Sequence, residues 1–447
     1  MSKGLIIDKY ISKTIKSKKI PGCYLFVIDK GKIICNKGYG LADCHNNKEI
    51  DLNTYFQLGS NSKAFTALAI LHLEDQKKLK LTDNVSKYIP NFQMYYKKEK
   101  VEVTIENLLY HTSGISPKTI MYIEEGNEKN GLEKTVHILE GKETNFPPGE
   151  KFLYATINYD VLGYIIEVIT QTSFENYITK EIFQDIGLNK DGIGFSDFNN
   201  EKIAKGYKRE FLHNVQFNAP VYKGNVPSGY IYLNGEDMSK WIQFQLFPNK
   251  KWKKLIEKSH QLCENALIKE DTYYAAGWQV EIEKGIVSHF GRNPNYVSCI
   301  YLKPEEKTGV AIMTNTSLTY AKDIGEQILW ILDNKKISKT LWDYMVTMDL
   351  IFSILMLLEM CCSFSLLYLT INNIILNKFN LICTIKFGIS CIGFGSLYYV
   401  IKKFLKRNKK IHIVKEFIKV WAPKSILGAV SMLYFILGTT LIYLINK

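Results

Sequence analysis

Ser60 and Lys63 are the two residues whose types and spacing best fit covalent chemistry. The segment before Ser60 is apolar and strand-like, and the segment after it has the pattern of a buried helix, so Ser60 falls in that helix's first turn. A helix N-terminus offers free N–H groups and a positive dipole end to developing negative charge. Lys63 follows one turn later, where burial disfavours its ammonium form and allows the amine to take the Ser60 proton. The same spacing also fits a helix cap followed by a solvated lysine.

The elements that must position this pair are predicted from hydrophobic periodicity. Residues 23–28 and 33–35 predict a hairpin, and residues 60–80 predict a buried helix, with helices and long polar loops from there to about residue 260. Strand patterns and then an amphipathic helix return at 276–283, 286–290, 297–302, 310–314 and 320–332. We therefore expect an α+β fold, in which an antiparallel sheet is built from both ends of the domain, flanked by helices and interrupted by a helical insertion.

Several further motifs follow the serine motif of residues 60–67 in a fixed order. They are L-L-Y-H-T-S-G-I at 108–115, P-P-G-E-K-F-L-Y at 147–154 with Asn158-Tyr159 after it, P-S-G at 227–229, and Gly277-Trp278. Together with the N-terminal hairpin, these motifs resemble those of the class C β-lactamase and penicillin-binding-protein-like serine hydrolase family. The resemblance runs from about residue 8 to 335, and it implies a β-lactamase/transpeptidase-like fold.

The resemblance implies a role for each matching residue. Ser60 would be the acylated nucleophile, Lys63 its proton partner, and Tyr154 a phenol that acts as a base when a cation lowers its pKa. The family's third motif, K-T-G or H-x-G, corresponds to His289-Phe290-Gly291, on a strand beside the scissile carbonyl. The backbone N–H groups of Ser60 and Arg292 would form the oxyanion hole. No metal or organic cofactor is expected, because Lys63 and Tyr154 can manage the protons.

Plainer alternatives exist, and two positions depart from the family pattern. Tyr154 could be a packed aromatic, His289 a surface histidine, and Arg292 a solvated side chain at the rim rather than a ligand for a substrate carboxylate. Thr156 replaces the Asn of the family's Y-x-N motif, and Arg292-Asn293 replace small residues after Gly291. These departures argue against true β-lactamase activity but leave attack by Ser60 possible.

A second tripeptide, Lys307-Thr308-Gly309, also spells K-T-G. It follows Pro304-Glu305-Glu306 on the next predicted hairpin. We interpret it as a turn rather than as part of the site.

The C-terminal part of the chain differs in character from the rest. The 447 residues carry a net charge of +13, and residues 341–447 hold twelve Lys/Arg against four Asp/Glu. Most of the excess charge thus lies in an apolar tail, so nucleic-acid binding is not expected. Segments 351–371, 381–401 and 425–445 are long and apolar enough to be membrane spans. We predict a hydrolase domain at 1–340 and a membrane domain at 341–447.

Charge also predicts a topology. The N-terminus lacks the apolar stretch of a secretory signal, and residues 402–424 hold nine Lys/Arg, which places that loop and the catalytic domain in the cytoplasm. Glu359 is expected to face other helices, and Lys386 is expected to reach the nearer membrane interface.

The nine cysteines show no C-x-x-C spacing, which favours free thiols over disulfides.

These observations predict a membrane-anchored serine hydrolase that cleaves a small peptide, amide or ester through an acyl-enzyme on Ser60. A β-lactamase-like domain followed by three spans resembles the prodrug-activating peptidases that remove an acyl-D-amino-acid cap. Those enzymes act outside the cytoplasm, which conflicts with the loop charges. The alternatives are a membrane protein that senses or binds β-lactams or peptides with slow or no turnover, and an inactive scaffold. The predicted partners are the substrate and the lipid bilayer.

Overall fold

The computed structural model describes residues 2–189, 201–337, 341–376, 385 and 409–446. The chain forms two compact units, Met1–Tyr207 with Gln216–Trp342, and Lys208–Val215 with Asp343–Lys447. All of the predicted site residues belong to the first unit, and the apolar C-terminal helices belong to the second.

The strands and helices of the described residues have the following bounds. The strands are β1 (Gly22–Asp29), β2 (Lys32–Asp43), β3 (Lys48–Glu49), β4 (Phe56–Gln57), β5 (Met94–Tyr96), β6 (Glu99–Val101), β7 (Tyr207–Glu210), β8 (His213–Gln216), β9 (Tyr232–Leu233), β10 (Leu267–Lys269), β11 (Thr272–Tyr274), β12 (Gln279–Glu281), β13 (Ile286–Arg292), β14 (Val297–Lys303) and β15 (Thr308–Thr314). The helices are α1 (Lys3–Lys18), α2 (Lys63–Asp75), α3 (Ile105–Leu109), α4 (Gly131–His137), α5 (Ile157–Thr170), α6 (Phe174–Tyr177), α7 (Gln184–Ile186), α8 (Val226–Gly229), α9 (Gly235–Leu246), α10 (Lys253–Ser259), α11 (Tyr320–Leu332), α12 (Tyr344–Leu376), α13 (Lys409–Trp421) and α14 (Lys424–Asn446).

A nine-stranded antiparallel sheet organises the first unit, in the order β10-β11-β12-β13-β14-β15-β1-β2-β3. β1, near the N-terminus, pairs with β15, so that Cys23 lies opposite Thr314. Every residue of β14 and β15 is buried, as expected for central strands covered on both faces. The prediction of an α+β fold with one sheet built from both ends of the domain is confirmed.

Helices cover the two faces of this sheet. In β15, Gly309 contacts α9 whereas Ile312 contacts α11, and the alternation of a strand places these helices on opposite faces. α1 lies beside α11 and buries Ile7, Ile11 and Ile15, one residue per turn. α2 is buried from Lys63 to Leu73, as its pattern predicted.

Some strands and one helix differ from the elements predicted from the sequence. The strand predicted at 276–283 is only Gln279–Glu281, because the backbone turns at Gly277 (φ +79), and a Cβ there would lie 2.7 Å from Ala64 Cα. This segment therefore packs against the start of α2 instead of extending the strand. The short strands β10 and β11 and the helix α1 were not predicted. The hairpin of β1 and β2 and helix α11 (Tyr320–Leu332) are confirmed.

The second unit consists of the β7–β8 hairpin residues with α12, α13 and α14. Two of its helices in the described ranges are long and apolar enough to cross a membrane, Tyr344–Asn372 and Lys424–Leu441. They contain most of the predicted spans 351–371 and 425–445. The third predicted span, 381–401, and Lys386 within it lie outside the described residues. Glu359 is only 7% exposed, in keeping with its expected orientation.

Candidate active site

Ser60 and Lys63 are brought together as predicted, although the local geometry differs slightly. Ser60 lies in a 3-10 turn, Gly59–Ser62, that runs directly into α2, and Lys63 is the first residue of that helix. The Lys63 side chain is fully buried, and its Nζ donates to Ser60 Oγ at 3.2 Å and to the Ser228 carbonyl at 2.8 Å. The alternative of a solvated lysine is therefore wrong.

A buried carboxylate accompanies this amine. Asp160 on α5 is fully buried, and Asn225, with its amide oriented towards it, donates to both carboxylate oxygens at 3.0 and 3.1 Å. Burial lowers the pKa of Lys63 and raises the pKa of Asp160, because each group would carry its charge in a dry interior. Their mutual attraction and hydrogen bonding from Ser228 to Asp160 oppose these shifts only in part. A neutral amine at Lys63 can accept a proton from Ser60.

Tyr154 lies beside the same amine, just before α5. Lys63 Nζ is 5.3 Å from the centre of its ring, within cation–π distance. The hydroxyl is enclosed, and burial raises the pKa of the phenol, an effect that the nearby Ser60 hydroxyl offsets only in part. The expectation that a cation would lower this pKa is thus wrong. The phenol stays protonated and can donate.

The His111-Thr112-Ser113-Gly114 segment explains how Tyr154 is held. The His111 carbonyl accepts from Leu153 N at 2.8 Å, and its Nδ1 faces Ala155 N at 3.4 Å and the Asn158 amide at 3.0 Å. The rings of His111 and Tyr154 lie 4.2 Å apart. Burial lowers the pKa of His111 well below its usual value, so the imidazole is neutral. This segment clamps the residues on either side of Tyr154.

His289 occupies β13, as the third-motif prediction required. It is 3% exposed, so the alternative of a surface histidine is wrong. Its Nε2 lies 3.1 Å from the Tyr274 hydroxyl and its Nδ1 lies 3.0 Å from the Phe290 carbonyl. Burial lowers the pKa of His289 to about 3, so the ring is neutral at physiological pH. Both ring nitrogens are therefore engaged in supporting β13 and Tyr274.

The end of β13 lies directly against the serine turn. A Cβ on Gly59 (φ +54) would fall 2.4 Å from Arg292 N, and a Cβ on Gly291 would fall 1.8 Å from the Leu58 carbonyl. Only glycines permit this approach, which brings Arg292 N beside Gly59, the residue that precedes Ser60. The contact of Gly59 with Arg292 N is compatible with the predicted oxyanion hole, which stays a prediction.

A polar clamp that the sequence did not reveal locks this contact. Asn61, with its amide oriented towards β13, donates to the His289 carbonyl and accepts from Gly291 N, both at 3.2 Å. In this orientation the Asn61 amide oxygen also accepts from Ser298 Oγ on β14 at 2.6 Å, and the same hydroxyl lies 2.5 Å from the Leu58 carbonyl oxygen. The serine turn is therefore bound to two neighbouring strands.

Thr156 and the second K-T-G sequence complete the predicted residues. Thr156 immediately precedes α5, and its carbonyl accepts from Ser228 Oγ at 2.8 Å, which joins it to the segment that also holds Lys63.

In the second K-T-G sequence, Lys307 lies in the turn between β14 and β15 with φ +52, and Thr308 begins β15. The interpretation as a turn is therefore confirmed for Lys307, whereas Thr308 and Gly309 belong to β15.

The important residues missed by sequence reasoning are Asn61, His111, Asp160, Asn225 and Ser298. His111 and Asp160 lie in or next to quoted motifs, which was the available signal for them. In the described ranges, no group of three or more His, Cys, Asp or Glu side chains could hold a metal ion.

Comparison with known proteins decides the family. Residues 7–331 match the family model described as Beta-lactamase. The chain belongs to the Beta-lactamase family. Protein flp of Staphylococcus aureus (strain NCTC 8325 / PS 47) is 31% identical over 331 residues, which cover 74% of this chain and 66% of that protein. The chain thus spans slightly less than two thirds of that relative's length. PbpX of Bacillus subtilis (strain 168) is 32% identical over 253 residues, covering 56% of this chain and 61% of PbpX.

Two solved structures have the same fold. The octameric penicillin-binding protein homologue from Pyrococcus abyssi superposes with a TM-score of 0.62 at 25% identity, over 74% of this chain and 77% of that one. EstCE1, a hydrolase with promiscuous acyltransferase activity, superposes with a TM-score of 0.64 at 18% identity, over 74% of this chain and 98% of that one. The second likeness shows the fold alone. The family of this chain therefore includes penicillin-binding-protein-like members, and its fold is shared by a hydrolase with promiscuous acyltransferase activity.

Proposed function

We propose that this chain is a membrane-anchored serine hydrolase that forms an acyl-enzyme on Ser60 and cleaves a peptide, amide or ester bond. The observation that carries the proposal is the fully buried Lys63 amine, which bonds to Ser60 Oγ at 3.2 Å. A buried amine that loses its charge easily can activate a serine without a histidine or a metal.

The residues suggest a balanced sequence of proton transfers. Ser60 Oγ attacks the substrate carbonyl carbon while its proton passes to Lys63, and the N–H groups of Ser60 and Arg292 stabilise the oxyanion. When the C–N or C–O bond breaks, the leaving group takes a proton from Lys63 through the protonated phenol of Tyr154. Water then attacks the ester on Ser60, its proton returns by the same groups, and Ser60 is released with its proton restored.

The substrate class is proposed from the similar proteins and from Thr156. The similar proteins include a penicillin-binding protein homologue and a hydrolase with acyltransferase activity. Thr156 offers a shorter polar group than the family's Asn, which favours an acyl donor that needs no amide contact at this position. We therefore favour simple esters over β-lactams as turned-over substrates.

Intact mass spectrometry tests the proposal. The full chain is exposed to a panel of aryl esters, N-acyl-D-amino-acid amides and β-lactams, and compared with Ser60→Ala and with Ser116→Ala, a surface N-cap variant. A hydrolase gives multiple turnover that Ser60→Ala abolishes and Ser116→Ala retains. One stable adduct on Ser60 without turnover supports a sensor instead. Neither adduct nor turnover with any donor supports a scaffold.

The proposed membrane anchor is supported by the contacts between α12 and α14 in the second unit. Asp349 on α12 accepts from Ser425 on α14, and Met356 lies against Gly428, so the two helices run in the same direction. Parallel helices fit the first and third of three successive spans. The charge of residues 402–424 favours a cytoplasmic catalytic domain. A reporter fused after Lys447 tests this: an external C-terminus supports it, and a cytoplasmic C-terminus contradicts it.

A further inference from the structure

The turn of the β7–β8 hairpin has an unusual composition. Its two central residues, Phe211 and Leu212, have φ values of +48 and +67. Two-residue hairpin turns with both φ angles positive normally contain Asn and Gly, because bulky side chains are strained in this region. Phe211 and Leu212 are nevertheless 39% and 37% exposed. The chain therefore accepts conformational strain in order to display two apolar side chains.

The second unit holds this turn firmly in place. The fully buried carboxylate of Asp349, on α12, accepts from the N–H of Phe211 at 2.9 Å and of Leu212 at 2.6 Å. It also accepts from Ser425 Oγ at 2.7 Å, at the start of α14. A Cβ on Gly428 would lie 3.5 Å from the Phe211 ring. The turn is thus fixed at the end of the unit where α12 and α14 begin.

Charged and apolar side chains surround the turn in separate groups. Lys208 is fully buried and donates to the Lys419 carbonyl of α13 at 2.6 Å, whereas Lys424 pairs with Glu210 at 2.9 Å and keeps its side chain 54% exposed. Beyond the turn, α12 displays exposed Leu350 (43%) and Ile351 (55%), so the apolar surface continues along the helix. An exposed basic side chain, Lys424, near exposed apolar side chains fits the boundary between lipid headgroups and hydrocarbon.

We propose that Phe211 and Leu212 insert into the lipid bilayer at its headgroup boundary. The occupant is lipid because the exposed apolar turn is continuous with the exposed apolar surface of a helix that is proposed to span the membrane. This contact rests on the proposed membrane anchoring and goes beyond it, since it adds a lipid-binding element that is not a spanning helix. A protein partner on the same turn is the competing outcome.

Photocrosslinking from single positions tests this inference. The full chain is reconstituted in vesicles of phosphatidylcholine and phosphatidylglycerol, with p-benzoylphenylalanine replacing Phe211, Leu212, Phe247 or Phe364 in separate samples. Phe364 on α12 is 60% exposed and reports the proposed span; Phe247 is 47% exposed in the first unit and serves as the matched negative control. Lipid adducts, detected by intact mass, are expected from positions 211, 212 and 364 but not from 247.

The outcomes separate this inference from the anchoring proposal. Adducts at 364 with none at 211 and 212, or crosslinks from both turn positions to protein alone, overturn the lipid contact and leave the span intact. No lipid adduct at any position overturns both proposals. Equal adduct yields at 211, 212 and 247 would mean non-specific labelling and would also overturn the inference. Because Leu212 is tested separately, disturbance of the packing between Phe211 and Gly428 cannot decide the result.

Discussion

Gly59 is the position where the serine turn touches β13, and Gly59→Ala tests whether that contact shapes the site. The new Cβ would lie 2.4 Å from Arg292 N, 2.8 Å from Gly291 C and 3.0 Å from Arg292 C. These are backbone atoms and cannot rotate away. Restoring ordinary contact requires the turn and the strand to separate by about 1 Å, and a misplacement of about 1 Å at reacting groups can cost about 100-fold in rate. We expect the rate of Ser60 acylation to fall by about two orders of magnitude.

A matched glycine separates this effect from backbone strain. Gly285 has φ +59, close to the φ +54 of Gly59, and no described atom lies within 4 Å of its added Cβ. Both alanine variants bear the left-handed backbone cost of about 1–2 kcal/mol and constrain the unfolded chain equally. Gly285→Ala should therefore lose stability in thermal unfolding but acylate at the wild-type rate. If Gly59→Ala acylates as fast as Gly285→Ala, the juxtaposition of Ser60 and Arg292 does not matter for the reaction.

Three further substitutions examine the proton-carrying groups and the altered family position. Lys63→Met should slow acylation by roughly 100- to 10,000-fold while the chain stays folded, because it removes the base and leaves an apolar side chain of similar length; near-normal acylation of this variant would exclude Lys63 as the base. Asp160→Asn should move the acid limb of the acylation pH profile to lower pH, because attraction to the Asp160 carboxylate opposes the burial that lowers the pKa of Lys63. An unchanged limb, measured with the same aryl ester, would show that Asp160 is not coupled to Lys63. Thr156→Asn should raise the rate of β-lactam acylation relative to aryl ester acylation, and an unchanged ratio would mean that this position does not contact the acyl amide.

The parts of the fold that were predictable depend on local patterns. Helix α11 was located at its true bounds because its apolar residues recur with helical spacing over more than three turns. The β1–β2 hairpin was evident from its apolar runs and the Asp29–Lys32 turn. β10 and β11 were missed because three-residue strands give too little alternation to stand out. The truncation of β12 depends on the contact of Gly277 with Ala64, which no local pattern contains.

The candidate site, like the fold, has parts that follow from local sequence and parts that depend on contacts between distant residues. Ser60 and Lys63 are three residues apart, so their proximity follows from helical geometry. Asn61 and Ser298 are separated by 237 positions, and Asp160 and its partner Asn225 are separated by 65 positions. Buried polar residues of this kind look like ordinary surface residues in a single sequence. Their function as a clamp becomes visible only when the fold shows that they are buried and paired with each other.

Burial also assigns the proton roles that motifs leave open. A motif names an amine and a phenol but does not say which one takes the serine proton. In this chain the same dry environment pushes the two groups in opposite directions, since burial lowers the pKa of Lys63 and raises the pKa of Tyr154. A neutral amine beside a protonated phenol is the combination in which Lys63 accepts the Ser60 proton and Tyr154 donates to the leaving group. His111 and His289, both neutral by burial, enclose the pair without competing for the proton.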